Sequence, residues 1–398
     1  MRDSLLAGGR ALIRDSSVRW GLASILSIGL LVTNSPGQGS LLVRDVEGAP
    51  QQRGWVVQSA TIRVTLLRQG GHIAEIRLLG EGPVPSINPL FTPTGTGYSG
   101  HLVCFPHYGP ASADERAQGL GGHGEAGSVE WHETRPAVVT AEALTFFYGA
   151  DLPKTQYAIE RAVTVRAGES AIRVEEWVEN RAVYDRPYNW NQHATFGAPF
   201  VAPDANLLDL SGVTAVTDPR RTGGGQWSPA AEFRWPDAPR PDGGAVSLRP
   251  FRARPEGQVY TPVLTASAHP LGWFTLYNLD ERLLVGYLFP AADAPWIIDW
   301  QNRPDAASAA RTARGIQFGT SPFDEGLRKS VERGRLFDTP TYRWIGARQR
   351  LSTTFQIFLT EVAPPFAGVD DVRATGDGII VRERGTGREL TVHARGTP

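Results

Sequence analysis

Residues 157–180 read YAIERAVTVRAGESAIRVEEWVEN: two ten-residue segments, Tyr157 to Arg166 and Ala171 to Asn180, around Ala167-Gly168-Glu169. Ile159, Val163 and Val165, then Ile172, Val174 and Val178, alternate with polar neighbours. Successive side chains of a strand point to opposite faces, so this period of two predicts an antiparallel hairpin with one buried face. A glycine in the connection supplies the positive φ that a tight turn demands.

The same reading extends outward. Ala60 to Leu67 and His72 to Leu79 flank Gln69-Gly70-Gly71, Trp273 to Asn278 precedes Leu283 to Phe289, and Arg350 to Leu359 adds a further strand. A last hairpin, Gly378 to Val392, turns at Gly385-Thr386-Gly387. One short helix is predicted over Ser321 to Arg333, opened by Ser321-Pro322. Pro203 to Gly257, rich in Pro, Gly and Asp, reads as a long excursion that covers a sheet or lines a cleft. Forty-four glycines and 30 prolines are spread along the 398 residues, which leaves few long helical stretches. The fold class is therefore all-β, built of antiparallel hairpins with few short helices.

Composition narrows the function. A chain that is 41% hydrophobic and 20% charged can build a core, and 40 basic against 41 acidic residues with no run of like charge argue against nucleic acid as a partner. Cys104 is the single cysteine, which excludes internal disulfides and a four-cysteine zinc site. The spacing of His101, His107 and His123 matches no common zinc pattern, and the Gly-rich stretches do not open helices, so neither a metal nor a nucleotide cofactor is expected. Residues 1–40 hold Arg2, Arg10, Arg14 and Arg19 before the uncharged run Trp20 to Val32, followed by Asn34-Ser35-Pro36-Gly37. That run is shorter than the roughly 20 residues that span a bilayer. It reads as an export signal or an N-terminal anchor, which implies a periplasmic or extracellular location and no other membrane partner. Residues 41–362 form the expected main domain, and 363–398, after Ala363-Pro364-Pro365, a C-terminal hairpin appendage.

Three segments carry residues suited to chemistry. The first runs from His101 through Phe105-Pro106-His107-Tyr108 to Gly122-His123-Gly124-Glu125; the second is Tyr188 to Phe200, with Trp190 and Asn191-Gln192-His193-Ala194-Thr195-Phe196. The third is Trp296 to Arg303, with Asp299 and Trp300, followed by Gly315-Ile316-Gln317 and Ser321-Pro322. Histidine titrates near neutrality and can give and take a proton within one turnover, so loop and strand-end histidines are the first candidates.

In this order, over residues 55–362, the Phe-Pro loop, Gly-His-Gly, Asn-x-His-x-x-Phe and Gly-Ile-x-x-x-x-Ser-Pro resemble the aldose 1-epimerase, or galactose mutarotase-like, superfamily. The resemblance implies a large antiparallel β-sandwich with few short helices, a supersandwich whose concave sheet binds a mono- or oligosaccharide in an open cleft without a cofactor. It implies His193 as general acid at the sugar ring oxygen and His123 as a substrate-holding residue on the same face; Trp190 and Trp300, which polar residues flank closely, and His107 in the Phe-Pro loop are further candidates to line the sugar site. The family's base is a glutamate, and Gln317 stands at the matching position. An amide cannot remove a proton, so Glu125 and Asp299 are the alternative bases, although each also reads as a residue bonded to backbone amides or an arginine. The family's substrate-binding arginine has no clear counterpart: Gly109-Pro110 stand near that point and Arg116 comes later. The expected function is carbohydrate binding, with isomerase activity on sugar anomers if a base is present. A non-catalytic sugar-binding protein and a polysaccharide lyase- or hydrolase-like domain are the alternatives.

Overall fold

In a computed structural model, which describes residues 41–49, 52–80, 86–92, 100–252, 256–265, 269–396 and 398, the hairpin of residues 157–180 is the middle of an eight-stranded sheet. Tyr157–Arg166 and Ala171–Asn180 pair antiparallel, with Val163 opposite Val174 and Val165 opposite Ile172. The leader expected over residues 1–40 lies outside the described residues. Strands make up 53% of the described residues and helices 6%, in keeping with the dispersed glycines and prolines. No helix among the described residues is long and apolar enough to cross a membrane.

The second large sheet has eleven strands. It runs from Leu42–Val46 through Gly54–Gln58, Ile62–Leu67, Ile73–Leu78 and His101–Cys104 to Asn191–Gly197, then Ala313–Gly319, Trp296–Arg303, Gly257–Thr265, Gly212–Val216 and Glu232–Arg234. The inner faces of the two sheets meet in one core, in which Phe289 stacks on Phe318 at 4.3 Å and Phe274 on Tyr287 at 4.7 Å. Offset rings at such spacings add attraction beyond the area they bury.

Two inward positions of the 157–180 hairpin are skipped by the apolar alternation. They hold Arg161 and Glu176, directly opposite each other and fully buried. Arg161 Nε donates to Glu176 Oε2 at 2.7 Å, and its Nη1 donates to the Gly71 carbonyl at 2.9 Å and to the Tyr148 hydroxyl at 3.0 Å. The other carboxylate oxygen accepts from the indole N–H of Trp190 and from Gln192 Nε2, the latter at 2.7 Å. A buried ion pair is tolerated when hydrogen bonds like these complete it.

Three elements differ from the sequence reading. The excursion over residues 203–257 is not only a cover: Asn206–Leu210 edges the eight-stranded sheet, and Gly212–Val216 and Glu232–Arg234 edge the eleven-stranded one. These strands are short and interrupted by turn residues, so no sustained alternation announces them. The helix is shorter, Leu327–Arg333, and begins after Gly326 at φ 82°. The Ser321 hydroxyl bonds to the Phe323 carbonyl at 3.2 Å and to the Ser330 hydroxyl instead of capping a helix at its own position. At the C-terminus, Val369–Ala374 joins the expected hairpin to make a three-stranded sheet. Phe366, Val372 and Ile379 of this segment pack on Trp273, Tyr277 and Phe358, the outer face of the eight-stranded sheet.

Removing one partner of the buried pair leaves the other charge without compensation. Glu176→Ala should therefore lower the unfolding free energy by about 3–5 kcal/mol, and a double Arg161→Leu/Glu176→Leu variant should recover part of that loss. Urea denaturation of the three proteins measures both; equal stability of Glu176→Ala and the natural chain would refute the role given to the pair.

Candidate functional site

The outer, concave face of the eleven-stranded sheet gathers the residues suited to chemistry. Along Asn191–Gly197, Gln192, Ala194 and Phe196 face the core, which turns His193 and Thr195 outward. His193 lies in register between Leu102 and Gln317, and Gln317 is followed across the sheet by Ile298. The next row is Thr195, Gly315, Trp300 and Tyr260. Gly315 is needed for this crowding: a Cβ there would lie 2.9 Å from the Trp300 ring and 3.1 Å from the His193 ring.

A long loop brings His123 to the same place. Its ring lies 5.7 Å from that of His193, edge to face, and Trp300 approaches His193 from another side at 6.0 Å. The loop is fixed at several points. His123 N–H donates to the Gly109 carbonyl at 2.7 Å, His107 Nε2–H donates to the Gly121 carbonyl at 3.0 Å, and Gly124 at φ 85° passes so close to Phe105 that a side chain would meet its carbonyl oxygen. His123 itself takes φ 64°, an uncommon conformation for a residue with a side chain. Its Nδ1 lies 3.5 Å from the thiol of buried Cys104.

Histidines 123 and 193, Gln317 and Trp300 are thus brought together, but other candidate residues are not. Asp299 belongs to the opposite face: its carboxylate is buried in the core side of the sheet, bonded to Arg314 at 2.8 and 2.9 Å and to Gln301 at 2.8 Å. Trp190, three residues before His193, also falls on the core face and donates its indole N–H to Glu176. Glu125 accepts from the backbone N–H groups of Lys154 and Thr155 at 3.1 and 2.8 Å and from the Thr155 hydroxyl at 2.7 Å, so it ties down a turn. His107 props the 119–124 loop. Arg116 is exposed on the short helix Ala113–Ala117 and donates to the Ala111 carbonyl.

Four residues that the sequence reading missed complete the site. Tyr108 donates its hydroxyl proton to Gln317 Oε1, and the Tyr260 hydroxyl lies 2.8 Å from that of Tyr108. Tyr260 in turn donates to the Pro322 carbonyl at 3.1 Å and accepts the Asp324 N–H at 3.0 Å. Arg221, from the 203–257 excursion, lays its guanidinium over the Tyr260 ring at 3.8 Å and bonds both Asp324 and Asp218. Arg220 shares both aspartates. Tyr108 directly follows Phe105-Pro106-His107, and Asp324 stands two residues after Ser321-Pro322. Tyr260 and Arg221 belong to no motif.

The site is consequently not an open cleft over His193. Tyr108, Tyr260 and Gln317 are buried beside it, and His193 is only 5% exposed. His123, Trp300, Asp324 and Arg221 form the accessible rim. Burial, assisted by His123 and His101, pushes the His193 imidazole well below its ordinary pKa, so it is neutral at pH 7. Burial also lowers His123, against the opposing pull of the Asp324 carboxylate. Burial raises the Cys104 thiol and the Tyr108 phenol well above their usual ranges, so both stay protonated donors. Chemically the site offers hydrogen bonds and an aromatic wall, with Asp324 and its two arginines at the rim. Among the described residues no group of three His, Cys, Asp or Glu side chains is placed to hold a metal ion.

No protein-family model matches the chain, and no curated protein matches its sequence. Solved structures do match its fold. A galactose mutarotase-like protein from Clostridium acetobutylicum superposes with a TM-score of 0.58 at 11% identity, covering 81% of this chain and 99% of that one. A galactose mutarotase-like protein from Lactobacillus casei gives 0.53 at 14%, over 77% and 99% of the two chains. A galactose mutarotase related enzyme from Lactobacillus acidophilus gives 0.52 at 13%, over 78% and 98%. The chain therefore has the galactose mutarotase-like fold.

Burial of several histidines makes stability depend on pH. His72 is lowered to about 4 and His101 to about 3, chiefly by burial, and His193 is also held low. The unfolded chain takes up these protons near pH 6.5, so between that pH and the folded values it binds more protons than the native state. Stability should hold above pH 7 and fall below 6.5, by up to about 1.4 kcal/mol per pH unit for each such histidine. Denaturant midpoints from pH 8 to 4.5 would show this, and a His101→Gln variant should have a shallower decline. A midpoint unchanged between pH 7 and 5 would refute the assignment.

Proposed function

We propose that the protein binds a mono- or oligosaccharide at the rim formed by His123, Trp300 and Arg221, above His193, and that it interconverts sugar anomers slowly or not at all. One observation carries the reading: the residue in register beside His193 is Gln317, whose side-chain oxygen is already an acceptor for Tyr108. A general base must accept a proton at neutral pH, and an amide does not. Asp324, the carboxylate at this rim, is tied to Arg220 and Arg221, and these charge-assisted hydrogen bonds hold its oxygens away from other work. Neutral imidazoles, an amide and an indole face still suit a polyol, which offers donors, acceptors and apolar ring faces together. The fold supports the reading, because the similar structures include proteins described as galactose mutarotase-like. In this proposal residues 41–362 form the sugar-binding domain, 363–398 an appended sheet, and 1–40 an export leader whose cleavage N-terminal sequencing of the mature protein would reveal.

Polarimetry on freshly dissolved α-anomers, with calorimetric titration of the same sugars, tests the function. The natural protein should bind without accelerating mutarotation appreciably. Gln317→Glu, which keeps an acceptor for Tyr108, should gain about 10²-fold or more in rate, and His193→Ala in that background should abolish the gain. Fast turnover by the natural protein would overturn the slow-or-absent reading, and failure of every sugar to bind would overturn the carbohydrate reading itself.

A further inference from the structure

A second site lies between the two sheets, on the core side of the strands that carry His193. It is a cavity of about 140 Å³ at one end of the sandwich. Its floor is aromatic and buried, made by Trp190, Tyr188, Phe289 and Phe318. The volume is close to the roughly 150 Å³ of an apolar protein cavity that takes up benzene, so it fits one six-membered aromatic ring.

Apart from the Tyr188 hydroxyl, the polar groups of the floor are already committed. The Trp190 N–H and Gln192 Nε2 donate to Glu176, Gln192 Oε1 pairs with His101 Nε2 at 2.9 Å, and the Thr320 hydroxyl accepts the Trp190 backbone N–H at 2.9 Å. What these residues leave for an occupant is ring faces and edges, which suits an arene and leaves the hydroxyls of a sugar without partners.

The mouth is different. Arg343, half-buried, and Asp293, exposed, both line it, yet they form no ion pair with each other. Arg343 makes one long bond, 3.4 Å, to the Ala292 carbonyl, and Asp293 Oδ2 accepts the Thr353 hydroxyl at 2.9 Å. The Tyr188 hydroxyl beside them has no hydrogen-bond partner among the described residues, and burial keeps it protonated, with a pKa pushed up to about 12. A cation and an anion held apart around one aromatic slot are complementary to a dipolar ligand: a carboxylate for Arg343, an ammonium for Asp293 and a ring for the floor.

We infer that this cavity is a binding site for a zwitterion bearing one aromatic ring, that is, an aromatic α-amino acid. The inference does not depend on the sugar reading, since the two sites lie on opposite faces of the sheet.

Calorimetric titration of the full chain with L-phenylalanine tests it, with 3-phenylpropionate, which lacks the ammonium, and phenethylamine, which lacks the carboxylate. L-Phenylalanine should bind saturably at one site, and each analogue about tenfold more weakly, the loss expected for one charge-assisted contact. Arg343→Gln should weaken L-phenylalanine and 3-phenylpropionate and spare phenethylamine; Asp293→Asn should weaken L-phenylalanine and phenethylamine and spare 3-phenylpropionate. Ala292→Trp, at an exposed position of the mouth, should block all three, with melting temperatures confirming that each variant is folded. Absence of saturable L-phenylalanine binding, binding that survives Ala292→Trp, or affinities indifferent to both charge variants would each overturn the assignment.

Discussion

The interaction on which the rest of the molecule depends is the Arg161–Glu176 pair between the sheets. It is fully buried, and it is the hub of a connected set of hydrogen bonds. Arg161 reaches the Gly71 carbonyl and Tyr148, while Glu176 reaches Trp190 and Gln192, and Gln192 continues to His101. The eight-stranded sheet contributes the ion pair and Tyr148, the eleven-stranded sheet contributes Gln192, and Gly71 and Trp190 stand in the segments that flank strands of the eleven-stranded sheet. A charge in this position is costly unless every neighbour is in place, so the network admits one alignment of the two sheets and penalises the others.

That alignment reaches the site through a single strand. Slipping a strand by one residue moves each side chain to the other face. Because Gln192 is held inward by Glu176, His193 must point outward, into register with Gln317 and toward Trp300. The core network thus positions the concave face without touching it. The same strand serves the internal cavity, since Trp190 and Gln192 line its floor. One register therefore sets two sites of opposite character: a polar rim outside and an aromatic slot inside.

The outer face of the eight-stranded sheet is covered by the C-terminal three-stranded sheet, and a second charged cluster fastens that cover. Asp209 accepts from Arg249 at 2.6 Å, from Arg384 at 3.1 Å and from the Val369 N–H at 2.8 Å, linking the 203–257 excursion to the C-terminal segment. Apolar residues on both faces of the eight-stranded sheet make this cover necessary: Trp273, Tyr277 and Phe358 would otherwise be exposed together. The C-terminal segment is thus packed and ion-paired against the sandwich.

Local pattern alone determined the long hairpins, their turns and the all-β class, whereas the short strands of the 203–257 excursion carry no pattern that announces them. Alternation is a property of neighbouring residues, and the glycines of the loops, such as Gly70 and Gly71 at φ 69° and 63°, announce positions that other residues adopt at a cost. Parity along a strand also separates Trp190 and Asp299 from the concave face, because each lies an odd number of residues from an outward-facing neighbour, His193 or Trp300. Only the tertiary structure decided which residues meet. Tyr108 reaches Gln317 across 209 positions and Arg221 reaches Asp324 across 103, from a Pro- and Gly-rich excursion with no pattern of its own. Arg161 and Glu176, read locally, are polar residues of an amphipathic hairpin, and they become a buried pair only when a second sheet closes over them. Strand neighbours from distant parts of the chain are selected by the summed packing and hydrogen bonding of the whole sandwich, a quantity that no window of sequence contains.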